Sequence, residues 1–355
     1  MRLLVSKTPV RLSMGGGGTD VQAYYAKHGG FWTSAAITRY VNLTVNTRID
    51  NSYHIKYSFS DERVHDICEI QNALIKHSLL HLGFDKWEDR YNQTRGLEIN
   101  VISDVPSHSG LGVSGCITVG LLQILHQLKG DVTLSNVQLA EEAYYVEHDL
   151  VGSESTGKQD QYIACCGGIT SFDIEPDGRV TIHPIKLERH TIAELENNLL
   201  LVGTRLRRLE SANEALKAVT EHLKEPSTKT AEAIIHPKPN KHEEYLHRIK
   251  EIGHDQRKAL LLNQPNRFGE LLDDHWKVKL DYSGATDETI ETFYEETKKV
   301  GVIGGKVIGA SSKGSFMVLY CPNDKANLRK VIAGFDLIEI PWTLEYSGSR
   351  ITHID

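Results

Sequence analysis

The chain has 355 residues, more than one ordinary core accommodates, and suits about two domains. Hydrophobic residues make up 40% and charged residues 25%, which excludes disorder as the default state. Acidic side chains outnumber basic ones by 47 to 40, for a formal charge of -7, so nothing electrostatic points to nucleic acid.

Residues 2–12 alternate and include Leu4, Val10 and Leu12, which predicts a strand. A glycine run, Gly15 to Gly18, leads into Thr19 and Asp20, either of which can cap a helix beginning near Val21. Strands are expected over 31–48 and 53–59, where Thr, Val, Ile and Tyr are frequent. Ile67, Ile70, Ala73, Leu74 and His77 are spaced for a helix over 66–83. A short apolar strand at 97–102 is followed by a Ser/Gly/Pro loop over 103–112. Buried helices are expected at 117–128 and 135–150, then a loop at 151–158 and a short helix at 159–166. Strands follow near 169–174 and 179–184, and another at 199–204 opens a second domain, with the boundary near residue 195. Beyond it come a helix at 207–224, a solvated Pro/Lys/His loop at 225–242 and helices to about residue 300. A strand at 302–308, a Gly/Ser loop, a strand at 315–320 and a helix from about Asp324 complete the pattern. The order predicts two α+β domains, with no internal repeat.

Cys68, Cys116, Cys165, Cys166 and Cys321 form no C-x-x-C pair and no zinc-type spacing. Scattered and odd in number, they suit reduced thiols in a cytosol, and adjacent Cys165 and Cys166 suit a core. No stretch reaches the ~18 apolar residues of a membrane span. Lys7 and Arg11 come too early for a secretory segment, so a cytoplasmic protein is expected.

Two glycine-rich motifs almost match familiar patterns. Gly152 to Lys158 begins like a Walker A loop, but Gln159 stands where Ser or Thr must meet magnesium, and a helix precedes it instead of a strand. Gly110-Leu-Gly112-Val-Ser-Gly115 spells G-x-G-x-x-G, but it lies well past its strand and two helices follow. The common physics survives: a glycine-rich loop opening a helix presents free N–H groups at the positive end of a dipole, which suits phosphate.

Pro106-Ser-His-Ser109-Gly110-Leu111-Gly112-Val113-Ser114 resembles the P-x-x-x-G-L-G-S-S loop of the galactokinase, homoserine kinase, mevalonate kinase and phosphomevalonate kinase (GHMP) superfamily. Lys7-Thr-Pro9-Val-Arg11 with the glycine run and Thr19-Asp20 is similar to its first motif, and Gly304-Gly305-Lys306-Val-Ile-Gly309-Ala310 to its third. Within the superfamily the resemblance is to D-glycero-D-manno-heptose 7-phosphate kinases. It rests on Gly15 to Asp20, Gly157-Lys158-Gln159-Asp160-Gln161-Tyr162, Trp276 with Lys277 and Lys279, and Gly304-Gly305-Lys306. The resemblance implies a ribosomal protein S5 domain 2-like N-terminal ATP-binding domain, residues 1–195, and a ferredoxin-like C-terminal domain, residues 196–355. It also implies ATP, magnesium and transfer of the γ-phosphoryl group to an anomeric hydroxyl, by a monomer or homodimer without nucleic-acid or membrane partners.

The residue roles follow from that resemblance. Pro106, Ser109, Gly110, Leu111, Gly112, Val113, Ser114 and Gly115 would hold ATP; Ser114 and Glu147 would hold magnesium. Asp160 would orient or deprotonate the acceptor hydroxyl, and Arg11 would stabilise negative charge there. Gly17, Gly18, Thr19, Asp20, Lys158, Gln159, Gly309 and Ala310 would contact the sugar. Lys158, Arg205, Arg207, Arg208 and Lys306 are available for a phosphate on that sugar. Three departures stand out: Val113 and Gly115 where the family has hydroxyl or methyl side chains, Ser311-Ser312-Lys313 within the third loop, and one extra residue between Glu147 and Asp160. Three readings are open: a heptose 7-phosphate kinase, a kinase of a fucose- or galactose-like sugar, and a silent sugar or nucleotide sensor on the same fold.

Overall fold

The computed structural model describes residues 3–354 apart from 59, 90–94, 108, 132–133, 205–239, 284–285 and 310–314. Two sheets organise it. The first, eight-stranded, is built on β1 (Leu3–Gly15) and the long β2 (Gly30–Thr47), which pair antiparallel almost end to end. The upper half of β2 pairs with β5 (Leu97–Ser103), which runs parallel to β3 (Tyr53–Tyr57) and so reaches β4 (Ser60–Val64). The lower half of β2 pairs with β6 (Ile169–Ile174), and β6 with β7 (Val180–Pro184). The far edge of β1 is covered by β12 (Arg350–Ile354), brought from the end of the chain.

The second sheet has the order β11-β8-β10-β9, with β8 (Leu199–Gly203), β9 (Gly304–Val307), β10 (Phe316–Tyr320) and β11 (Ile338–Ile340). Its central strands β8 and β10 are apolar on both sides, as strands buried on two faces must be. Leu199, Leu201, Phe316 and Val318 join the main core with Leu12, Val119 and Leu122. The alternate residues Leu200, Val202, Met317 and Leu319 join a smaller core with Trp276, Ile290, Phe293 and Leu328. Division of the chain into two domains near residue 195 is kept as a proposal.

The helices are α1 (Gln22–His28), α2 (Ala73–His81), α3 (Val113–Lys129), α4 (Asn136–Tyr145), α5 (Gln159–Cys166) and α6 (Arg189–Asn198). The later ones are α7 (Lys241–Leu261), α8 (Pro265–Ser283), α9 (Glu288–Lys299) and α10 (Lys325–Gly334). Several differ from expectation. The helix expected over 66–83 is a single 3-10 turn at Ile67–Glu69, then α2, which starts where the Asn72 side chain accepts from the Ile75 N–H. β4 and α6 were not expected. The helix at 207–224 lies outside the described residues; of the loop at 225–242, Lys241 and His242 instead begin α7 behind an Asn240–Glu243 capping box. α3 begins at Val113, four residues earlier than the apolar periodicity indicated, because glycines at its start hide the helical spacing. Among the described residues, no helix is long and apolar enough to cross a membrane.

Candidate active site

The glycine loop ahead of α3 supplies the first part of the site. Gly110 and Gly112 both have left-handed φ, +79° and +81°, which a residue with a Cβ adopts only at a cost. Gly112 is the N-cap, and no side chain caps the helix, so the first-turn N–H groups of Val113, Ser114 and Gly115 keep their donor capacity. Val113 and Leu111 are buried in the main core, which explains an apolar residue at 113. Ser109 is buried and its hydroxyl accepts from the Leu111 N–H at 3.3 Å, while Pro106 lies exposed upstream.

Asp160 enters from α5. A Cβ on Gly112 would sit 3.1 Å from the Asp160 Cγ, and one on Gly115 2.8 Å from the Asp160 Cβ. Gly115 therefore lets the two helix starts meet, and the polyphosphate-type loop and the carboxylate share one cleft. Arg11, from β1, donates from Nε at 2.8 Å to Oδ1 of Asp160, and its Nη2 lies 2.6 Å from the same oxygen. Its Nη1 donates to the carbonyl of Gly110, and its backbone N–H to that of Leu111 at 3.0 Å. Both guanidinium contacts fall on Oδ1, so among the described residues Oδ2 of Asp160 has no hydrogen-bond partner.

Glu147 sits behind α3's first turn. It lies in a π-helical turn, Val146–Leu150, closed by the Val151 N–H on the Val146 carbonyl. A π turn is an α turn with one residue added. Within it the Glu147 side chain is directed inward. The carboxylate is buried, accepts from Gln161 Nε2 at 2.9 Å and is hydrogen-bonded by Ser114. Burial outweighs those bonds and, with Asp160 adding repulsion, pushes its pKa up to about 7. The other amide atom of Gln161, Oε1, is buried without a partner. A carboxylate, a hydroxyl and a spare amide oxygen are hard oxygen donors, and they fit a magnesium ion that takes its remaining ligands from water and phosphates.

The first glycine run lies on the other side of Asp160. Asp20 is buried; its Oδ2 accepts from the Gln159 N–H at 2.8 Å and its Oδ1 from the Gly18 N–H at 3.0 Å. It therefore caps α5, whereas α1 has no side-chain cap, contrary to expectation. Burial, opposed by these bonds and aided by Asp160, raises its pKa. Gln159 donates to the Ser13 hydroxyl at 3.1 Å, and a Cβ on Gly17 would lie 2.9 Å from that hydroxyl. Gly157 has to be glycine, since its Cβ would fall 2.1 Å from Asp20 Oδ2.

Two expected sugar contacts are engaged within the protein. The Thr19 hydroxyl faces the carbonyls of Gly16 and Phe31 and accepts from the Phe31 N–H. Lys158 turns to Glu141, at 2.7 and 2.8 Å, and to the Gly178 carbonyl at 2.8 Å. Gly309 lies against the ATP-type loop, its Cα 3.2 Å from the Cβ position of Gly110. Ala310 and the Ser311-Ser312-Lys313 departure lie outside the described residues, as do Arg205, Arg207 and Arg208.

Gln161 and Ser13 join the candidate site without having been expected there. Gln161 was visible as part of the Gly157–Tyr162 motif; Ser13 carried no signal, because only strand pairing brings it to α5.

Residues 74–168 match the family described as GHMP kinases N terminal domain. The chain is 28% identical to D-glycero-alpha-D-manno-heptose 7-phosphate kinase of Campylobacter jejuni subsp. jejuni serotype O:2 over 344 residues, 94% of each chain. The solved D-glycero-D-manno-heptose 1-phosphate kinase from Bacteriodes thetaiotaomicron is similar in fold, with a TM-score of 0.76, 23% identity and 99% of each chain covered. Lactococcus lactis galactokinase, solved with galactose, gives a TM-score of 0.72 at 19% identity, covering 98% of this chain and 95% of that one. Sequence, fold and the meeting of the three glycine-rich motifs agree: residues 74–168 match a GHMP kinase N-terminal domain, and the chain is an ATP-dependent phosphotransferase.

Proposed function

We propose that the protein transfers the γ-phosphoryl group of ATP to the anomeric hydroxyl of D-glycero-D-manno-heptose 7-phosphate, giving the 1,7-bisphosphate. The observation that carries the chemistry is the contact of the α3 glycine loop with Asp160, whose Cγ lies 3.1 Å from the Cβ position of Gly112. The choice of acceptor is supported by the Campylobacter heptose 7-phosphate kinase, similar over 94% of both chains.

The amides of residues 113–115 receive the ATP phosphates. Phosphoryl transfer asks a protein for alignment and charge compensation more than for covalent chemistry. Asp160 directs the acceptor hydroxyl through its unpaired Oδ2 and takes up its proton as the new P–O bond forms. Arg11 holds the other oxygen in place and offsets charge growing on the phosphoryl oxygens. Ser114 and Glu147 would hold magnesium, which supplies compensation for the charge of the polyphosphate. Ser13, Gln159 and Asp20 meet sugar hydroxyls at the other end.

A second reading, a kinase of a fucose-like sugar, has the support of a bifunctional fucokinase/GDP-fucose pyrophosphorylase from Arabidopsis thaliana. It is 26% identical over 95% of this chain and 32% of that protein. ADP release measured with heptose 7-phosphate, heptose, fucose and galactose separates the two. Turnover on heptose 7-phosphate at least tenfold above the others is expected; turnover confined to unphosphorylated sugars removes the first reading.

A further inference from the structure

The phosphate that such an acceptor already carries needs a cationic seat, and the first glycine run offers none. Lys158 is held by Glu141. A different group of basic side chains lies where the second sheet meets α8.

Strand β9 lies directly on α8: a Cβ on Gly304 would fall 2.0 Å from the Gly269 carbonyl oxygen. Lys306, two residues further along β9, shares that face by the period of a strand. It is 3% exposed, and among the described residues its ammonium makes no hydrogen bond or ion pair. Lys279, on α8, is also buried and donates to the carbonyls of Val307 at 3.2 Å and Gly309 at 2.7 Å. That ties α8 to the start of the third glycine-rich loop. His275, one helical turn before Lys279, is 5% exposed, with its Nδ1 buried and unpartnered.

These groups act on one another. Burial first, then Lys279 and Arg11, press the Lys306 ammonium well below the usual lysine range. Burial, Lys306 and Lys279 keep the His275 imidazole neutral. Among the described residues, no carboxylate acts on Lys306. Arg11 is already matched by Asp160, so the uncompensated buried amine is Lys306. A buried cation without a counter-ion is costly, and a bound anion removes that cost.

We propose that Lys306, with Lys279 and the ring nitrogen of His275, forms a built phosphate-monoester site that receives the phosphate carried by the acceptor sugar. It deepens the functional reading above and rests on it for the acceptor's identity. The ATP phosphates have their own donors in the α3 amides and Ser114, with Glu147 left to the magnesium that would accompany them. Arg11 acts on Lys306 and pairs with Asp160, so an acceptor anchored at Lys306 would be held beside that pair.

The test compares wild type, Lys306→Met and Lys306→Arg in two measurements: calorimetric titration with inorganic phosphate, and steady-state kinetics with heptose 7-phosphate and ATP varied in turn. Lys306→Met removes a buried charge at similar volume, and a thermal melt establishes its folding. In Lys306→Met, inorganic phosphate affinity and KM for heptose 7-phosphate should each worsen at least tenfold, with KM for ATP within about twofold; Lys306→Arg should recover part of the loss. Unchanged phosphate affinity and sugar-phosphate KM in Lys306→Met overturn the site. A parallel rise in KM for ATP overturns its assignment to the acceptor and gives the lysine to the nucleotide. If wild type acts only on unphosphorylated sugars while phosphate binding still depends on Lys306, the acceptor reading falls and the anion site stands.

Discussion

Two buried charge clusters flank the Arg11–Asp160 pair, and they are opposite in sign. On the α3 side, Glu147 is sealed among neutral donors, and burial lifts its pKa to about 7. On the α8 side, Lys306 and Lys279 are sealed near a neutral His275, and burial pushes the Lys306 ammonium down. Asp160 and Arg11 between them satisfy each other. The difference teaches how one cleft can prepare for two ligands of opposite charge. In the proposed reading the acid side would take a cation and the basic side an anion, with the Arg11–Asp160 pair between them.

The largest effect is expected at the pair itself. Asp160→Asn leaves Arg11 without a counter-ion and removes the proton acceptor, so kcat should fall by about 10²–10⁴. ATP affinity, measured by titration, should stay within about threefold. Near-normal kcat in this variant would remove Asp160 from the chemistry and break the contrast at its centre.

Glu147→Gln tests the acidic cluster. A carboxyl whose folded pKa is raised binds more protons folded than unfolded between its ordinary value, 4.5, and about 7. Its ionisation therefore costs stability progressively as pH rises through that window, reaching on the order of 3 kcal/mol above it. The amide avoids that cost. Metal-free Glu147→Gln should gain melting temperature over wild type at pH 8 and lose the gain at pH 4.5. Stabilisation of wild type by magnesium with nucleotide should shrink in the variant. A melting difference that does not change with pH would contradict the burial argument.

The smallest effect is expected at Lys158, a lysine that does have its acid. Glu141 is partly exposed, at 39% of its side chain, so losing the pair should cost only about 1–2 kcal/mol. Lys158→Met should therefore lower stability modestly and leave KM for the sugar phosphate within about twofold. A tenfold rise would make Lys158 a substrate contact and blunt the distinction between it and Lys306.

Much of the site was legible because its demands are local. Gly110 and Gly112 have left-handed backbone, and Gly157 sits where any Cβ would strike Asp20; such needs exclude other residues one position at a time. The opening strand, the α3 to α5 order and Asp160 at a helix start were readable for the same reason. The internal bonds of Thr19 and Lys158 were not legible, because their types suit a ligand equally well and only their neighbours, Phe31 and Glu141, show them engaged. Helix 66–83 was misjudged because apolar spacing does not register a break at Asn72.

The amino-acid order alone carried the family resemblance, the glycine-rich loops and the choice of Arg11 and Asp160, which meet in the structure. These depend on backbone conformation and on motifs contiguous in the chain. Tertiary structure alone decided that residues 350–354 close the edge of the first strand, that Ser13 meets Gln159, and that Lys306 lies beside His275 and Lys279. Charge balance and desolvation are properties of what segments far apart in the chain bring together, and no single segment carries them.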